Sequence, residues 1–287
     1  MPNCELSIVL DEANNDNFGG DFISGHVQVS VDKDVRCDGL SVGLLWRTHG
    51  HGDPHDVIEA ESLLFQGAWQ VGMPHAYSFT FTLPGGPLTH QGRLVNVSWF
   101  IVAKAALPEM DGPKVEREFA LVKGSATALK RDMTLRRLQW NGWNIEETLP
   151  GLRAALSRWI AEIQFGKITT RLSSTRLIVG ESFSVFIYLK SRYEREVNLI
   201  SVGLVGAEIA EQDRHVFYRD EVVIVKSMSM VAGQRFEDDV RIMVPQQGAV
   251  PMSLSVADKA IQWHVVICVE VDGMPEFERQ IPVVLGD

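Results

Sequence analysis

Cysteine is scarce in this chain, with three residues among 287. Cys4, Cys37 and Cys268 lie far apart, their number is odd and no CxxC pair occurs. A disulfide framework and a cysteine-based structural zinc site are thereby excluded, and the three are read as small hydrophobes in or beside strands. Long apolar runs are missing as well. The best of them, Ile261 to Val271, is broken by Gln262, His264 and Glu270, so no segment has the character of a membrane-spanning helix. The opening Met1-Pro2-Asn3-Cys4-Glu5 has no basic stretch leading into an apolar one, and Asp11, Glu12 and Asp16 follow at once. No secretory signal is expected, and the cytoplasm is the expected compartment. Positive charge is short: Lys and Arg number 27 against 37 Asp and Glu, for a net charge of −10. Nucleic acid is not the expected partner, because phosphate binding needs clustered Lys and Arg.

The marks of catalysis are missing too. No Ser or Cys has a readable base partner. Gly19-Gly20 and Gly85-Gly86 lack the strand–loop–helix setting and the Lys-Ser/Thr of a phosphate loop, so they read as turns. Glu237-Asp238-Asp239 reads as a run of solvated turn residues. The expectation is a non-enzymatic protein with no cofactor.

What the chain has is alternation. His26 to Val31 sets Val27, Val29 and Val31 on one face, as a half-buried strand does. Tyr77 to Leu83 alternates likewise and stops at Pro84-Gly85-Gly86-Pro87; Val95 to Ala103 is another strand. In the second half Ser182 to Leu189, Leu199 to Val205, Glu221 to Val225, Asp238 to Val244 and Ile261 to Val271 are strand-like, rich in Val, Ile and aromatics. Many short strands parted by Gly and Pro predict a sandwich or barrel.

The halves also repeat each other. Leu40-Ser41-Val42-Gly43-Leu44-Leu45 returns as Ile200-Ser201-Val202-Gly203-Leu204-Val205. Phe79, Phe81, Leu83 and Pro84 correspond to Val240, Ile242, Val244 and Pro245, and Trp99 to Trp263. One order and nearly one spacing predict two copies of a domain. The fold class expected is all-β: two tandem immunoglobulin-like or arrestin-type β-sandwiches, at 1–123 and 167–287, with an α-helical insert at 124–166. Within the insert, Leu152, Ala155, Leu156, Trp159, Ile160 and Ile163 follow helical spacing. Thr148 is placed to cap the helix, Pro150 in its first turn, and Gly166 just past its end. The helix is expected over about Leu149 to Gln164, docked on a sandwich, with a weaker helical stretch over Thr127 to Gln139.

Some of these residues carry a family resemblance. Gly19-Gly20-Asp21-Phe22-Ile23-Ser24-Gly25-His26-Val27-Gln28-Val29 resembles the opening of arrestin N-terminal domains, where a glycine-rich turn feeds the first sandwich strand. Leu83-Pro84 with the following glycines, then Val97 to Ala105, resembles a later segment of the same domains. Leu177 to Val185, with Gly180-Glu181, looks like the opening of the arrestin C-terminal domain, and Val244-Pro245 with Ile261 to Val271 repeats the later pattern. The similarity spans roughly 5–122 and 167–285. It is to a distant arrestin-like protein, such as a bacterial one, rather than to a receptor arrestin. No Pro-Pro occurs, so the Pro-Pro-x-Tyr motif of the ubiquitin-ligase adaptor branch is absent. The resemblance implies adaptor or scaffold work that links protein partners, membrane-associated ones among them.

Two polar constellations compete with that reading. Thr48-His49-Gly50-His51-Gly52-Asp53-Pro54-His55-Asp56 holds ligand types suited to zinc, so His49, His51 and His55 are metal candidates for an alternative metal-binding protein or enzyme. Placed between a strand ending at Trp46 and one starting near Val57, the stretch reads first as a solvated hairpin loop. In the insert, Lys130, Arg131, Arg136 and Arg137 lie beside Leu135, Leu138, Trp140 and Trp143. Arg136, Arg137, Trp140 and Trp143 are the partner-binding candidates, with peripheral membrane contact as one form of that role. Packing of the apolar members against a sandwich is the plainer expectation. A self-associating structural protein is the third reading.

Overall fold

The computed structural model describes residues 4–11, 16–108, 112–122, 165–246 and 251–286. The expected helices over Thr127 to Gln139 and Leu149 to Gln164 lie outside the described residues. Every regular element among those described is a strand.

The chain divides into two compact units. The first is carried by β1 (Cys4–Leu10), β2 (Asp16–Phe18), β3 (Phe22–Val31), β4 (Val35–Gly50), β5 (His55–Trp69), β6 (His75–Thr82), β7 (His90–Gln91), β8 (Val95–Ala106) and β9 (Lys114–Val122). The second is carried by β10 (Gly166–Leu172), β11 (Arg176–Ile178), β12 (Ser182–Ser191), β13 (Arg195–Ala210), β14 (Asp213–Met230), β15 (Arg235–Met243), β16 (Leu254–Val256), β17 (Lys259–Val271) and β18 (Phe277–Gly286). In the first unit a three-stranded sheet runs β1-β3-β6 and a six-stranded one runs β2-β9-β8-β4-β5, with β7 paired to β8. In the second the orders are β10-β12-β15 and β11-β18-β17-β13-β14, with β16 paired to β17. Strand for strand, the two plans are the same. Even the parallel pair recurs, β2 with β9 and β11 with β18. Two similar all-β units, each of a small and a larger sheet, are consistent with a tandem β-sandwich.

Period-2 patterning makes the sheets two-sided. In β3, Ile23, Val27, Val29 and Val31 are buried while Gln28 and Ser30 face out. In β12, Phe183, Val185, Ile187 and Leu189 are buried and meet Val202, Leu204, Trp263 and Val265 of the larger sheet in one apolar cluster. The first unit buries the matching set, Val42, Leu44, Trp99 and Ile101.

The repeat extends to the hydrogen bonds. The indole of Trp99 donates to the Pro87 carbonyl at 2.7 Å, and that of Trp263 to the Pro251 carbonyl at 3.0 Å. Leu121 N–H donates to Thr89 Oγ1, and Leu285 N–H to Ser253 Oγ. Gly20 and Gly180 both hold positive φ, 88° and 82°, in the turn that opens β3 or β12. The two glycine-rich turns of the first half meet: Gly20 N–H donates to Leu83 O, Leu83 N–H to Asp21 O, and a Cβ on Gly19 would lie 2.8 Å from Gly85 Cα.

One of the core positions at which the copies differ is that of Trp46. Trp46 on β4 packs its ring 6.5 Å from that of Trp99. Its counterpart on β13 is Gly206, and there Phe217 lies edge-on to Trp263 at 5.4 Å. A Cβ on Gly206 would come within 2.7 Å of Phe217.

Several expected boundaries shift. β14 runs from Asp213 to Met230, far past the expected Glu221 to Val225. Glu237, Asp238 and Asp239 are exposed as expected but lie within β15, an edge strand of its sheet, not in a turn.

Candidate functional site

The polar stretch from Thr48 to Asp56 is mostly strand. β4 continues to Gly50 and β5 begins at His55, so only His51 to Pro54 forms the loop. The expected strand ends at Trp46 and Val57 are therefore corrected. Pairing with β8 carries β4 onward: Thr48 lies opposite Val97 and Gly50 opposite Val95. His49 sits on the strand, its Nε2 3.1 Å from Ser98 Oγ. The ligand atoms of His49, His51 and His55 do not converge. Among the described residues the one such convergence is elsewhere, at Cys268, Glu270 and Glu276.

Beside the loop, Arg47 is the hub of an ion-pair network. Its guanidinium reaches Asp56 on β5 and, at 3.1 Å, Glu116 on β9, which Lys114 also approaches at 2.7 Å. Hydrogen bonds from Arg47 and Lys114 hold the Glu116 carboxyl down to about 2, and Arg47 lowers Asp56 too. The Arg47 head also lies 4.8 Å over the Phe100 ring. The network ties β4, β5 and β9 together on one face of the larger sheet.

β5 is the last strand of that sheet. At its far end it meets β6, where the Trp69 indole donates to the Tyr77 hydroxyl at 2.8 Å and the Phe65 ring lies 4.9 Å from Tyr77. Over His55 to Leu64, no strand among those described pairs with its outer side. Such a margin offers unpaired backbone N–H and C=O groups to a further strand.

The side chains along this margin are ordered by two irregularities. Leu44 pairs with Ala60 but Leu45 with Ile58, which leaves Glu59 as an extra residue; Leu64 is extra in the same way between Leu63 and Phe65. Directly opposed residues share a face. Asp56, Ile58, Glu61 and Leu63, opposite Arg47, Leu45, Gly43 and Ser41, therefore form one row on the outer face. The row alternates acid and apolar. Ile58 is 63% exposed and Leu63 is 66% exposed. Small residues floor it, since Ser41 and Gly43 project little and the missing Cβ of Gly39 faces Leu63. Sequence reading missed this row, because Glu59 breaks the alternation that would have revealed it. The surviving signal was the Ser-Val-Gly repeat of β4 and β13, which marks the floor.

In the second unit, β14 is the corresponding edge. Its outer residues Arg219, Glu221 and Val223 oppose Val205, Gly203 and Ser201. Arg219 and Glu221, together with Cys268, Glu276 and Glu278, line a shallow groove. Burial and the neighbouring Glu276, Glu270 and Glu278 push the Cys268 thiol well up, and it lies 2.7 Å from Glu276 Oε1 as a donor. A thiol held protonated is a poor nucleophile. Of the cysteines, Cys37 is buried as expected, whereas Cys4 and Cys268 are only half-buried.

The partner-binding candidates Arg136, Arg137, Trp140 and Trp143 lie outside the described residues. No protein-family model and no curated protein matches the chain.

Proposed function

We propose that this chain is a non-enzymatic, cytoplasmic adaptor or scaffold of arrestin-like type, which holds protein partners on its sheet margins. The observation that carries this reading is the open edge of β5, over His55 to Leu64, with Ile58 and Leu63 presented to solvent. Monomeric proteins usually guard such an edge with Lys, Pro or a short strand, and β5 has 15 residues with none of these. Two further observations support a binding role. The ion pairs of Arg47 brace the strand from behind, and the edge is duplicated in kind by β14.

The test is capture of partners from the native cell extract by the full chain and by its Ile58→Ser/Leu63→Ser variant, read by quantitative mass spectrometry. The expected result is a small set of proteins enriched by the native chain and depleted with the variant. Equal recovery on both would remove β5 as the binding margin. Sedimentation over a concentration range addresses the self-associating alternative, in which mass rises with concentration and the same variant prevents it.

A further inference from the structure

We infer that the open edge of β5 receives an extended segment whose residues at every second position are basic and apolar in turn. This inference rests on the sheet-margin reading above and names the chemistry of the occupant. The outer row of β5 is Asp56, Ile58, Glu61, Leu63, acid and apolar in turn. An added strand presents side chains to the same face at every second residue, at the spacing of that row. Its complement is a strand whose outward residues read basic, apolar, basic, apolar. Lys or Arg then lies across from Glu61 and from Asp56, which Arg47 already holds, and an aliphatic residue across from Ile58 and Leu63. Over its 15 residues β5 has no Lys or Arg of its own, and its three acids are Asp56, Glu59 and Glu61. The chain as a whole carries −10, so the field around the edge also draws a cation toward it.

A second copy of this chain fits the edge poorly. Antiparallel pairing of two such outer rows about their middle sets Ile58 of each opposite Glu61 of the other, acid against apolar, with no opposite charges brought together. The counterpart edge makes the contrast. On β14, Arg219 stands beside Glu221 in the outer row, and Arg214 and Lys226 lie on the same strand. That edge carries a cation within its outer row, whereas on β5 Arg47 of the neighbouring strand holds Asp56 and leaves Glu61 as the acid of the row without a cation beside it among the described residues.

The experiment uses the full chain and synthetic ten-residue peptides, read by fluorescence anisotropy. One peptide carries lysine and valine in turn at every second position, with threonine at the positions between. A second has glutamate in place of each lysine. A third is the lysine–valine peptide N-methylated at every other amide, which keeps its charge but blocks strand pairing. The first should bind at least tenfold more tightly than either of the others, and its affinity should fall as salt rises. Glu61→Gln and Ile58→Ser/Leu63→Ser should each weaken it severalfold while melting as the native chain does; neither replacement adds positive charge. Equal binding of the N-methylated peptide would show mere attraction to an acidic protein and overturn the inference. Preferential binding of the glutamate peptide, lost in Ile58→Ser/Leu63→Ser, would overturn the charge assignment while leaving the margin as a binding edge. Binding of none of the three would overturn both.

Discussion

Trp99 and Trp263 lie at matching places in the two units, each with a buried ring and its N–H on a proline carbonyl. Replacement of either by Phe keeps most of the apolar contact but leaves that carbonyl without its donor. Each variant should lose about 1–3 kcal/mol of stability, the range for an orphaned buried polar group, measurable by urea denaturation. The equivalence of these tryptophans was legible in the sequence, because both follow a proline turn and sit in an alternating strand. Their hydrogen bonds were not, since the acceptors lie 12 residues away in each case. Gly20 is a second residue whose role the sequence indicated. Its φ of 88° is strained for any residue with a Cβ, so Gly20→Ala should cost roughly 1–2 kcal/mol in the same assay.

The Glu116 carboxyl gives the residue scale a pH dependence. Its folded pKa of about 2 lies below the ordinary carboxylate value, so the stabilisation is complete above that ordinary value. It is lost as the pH falls through the folded pKa. The ion pair is partly open to water, so its contribution is small, about 1 kcal/mol or less. Glu116→Gln should lower the melting temperature at pH 7 and leave it almost unchanged near pH 2, giving a flatter acid limb than the native chain. Parallel curves for the two proteins would assign the acid sensitivity to other carboxylates.

At the scale of the strand, β5 shows why an edge hides from pattern reading. Strands packed on both faces or one, such as β3 and β12, announce themselves by the alternation of what they bury. β5 buries little beyond Trp69, and its extra residues at Glu59 and Leu64 shift the phase within the strand. What decides the facing of its side chains is the register against β4, a relation between distant residues. The His-rich stretch was misjudged for the same reason, because pairing with β8 extends β4 through Thr48, His49 and Gly50. Exposure also predicts a mild effect on stability. Ile58→Ser/Leu63→Ser removes side chains already in water, so the melting temperature should move little, with a stability change within about 0.5 kcal/mol. A large drop on differential scanning calorimetry would mean that these residues are covered in solution.

At the scale of the molecule, the duplication was the most legible feature, because Ile200 to Val205 restates Leu40 to Leu45 and the strand order follows it. The basic and tryptophan-rich candidates at Arg136, Arg137, Trp140 and Trp143, and the expected helix from Leu149, lie outside the described residues. Each unit has its own apolar cluster, so damage in one should stay there. In hydrogen exchange read by mass spectrometry, Trp99→Phe should speed exchange in β4, β8 and β9 and leave β12, β13 and β17 as protected as before. Loss of protection across both units would mean that they unfold as one.

Two copies of one plan on one chain invite strands to enter the wrong copy during synthesis, a common failure of repeated domains. The exchange of Trp46 for Gly206 bears on that hazard. Were β4 to settle where β13 belongs, its indole would be driven into the space that Phe217 fills against Trp263. Were β13 to take the place of β4, Gly206 would leave a hollow over Trp99 where the Trp46 ring now lies. Overpacking one way and a cavity the other both penalise the mistaken partner. The exchange of Trp46 for Gly206 is thus one core difference that weighs against each strand in its twin's place.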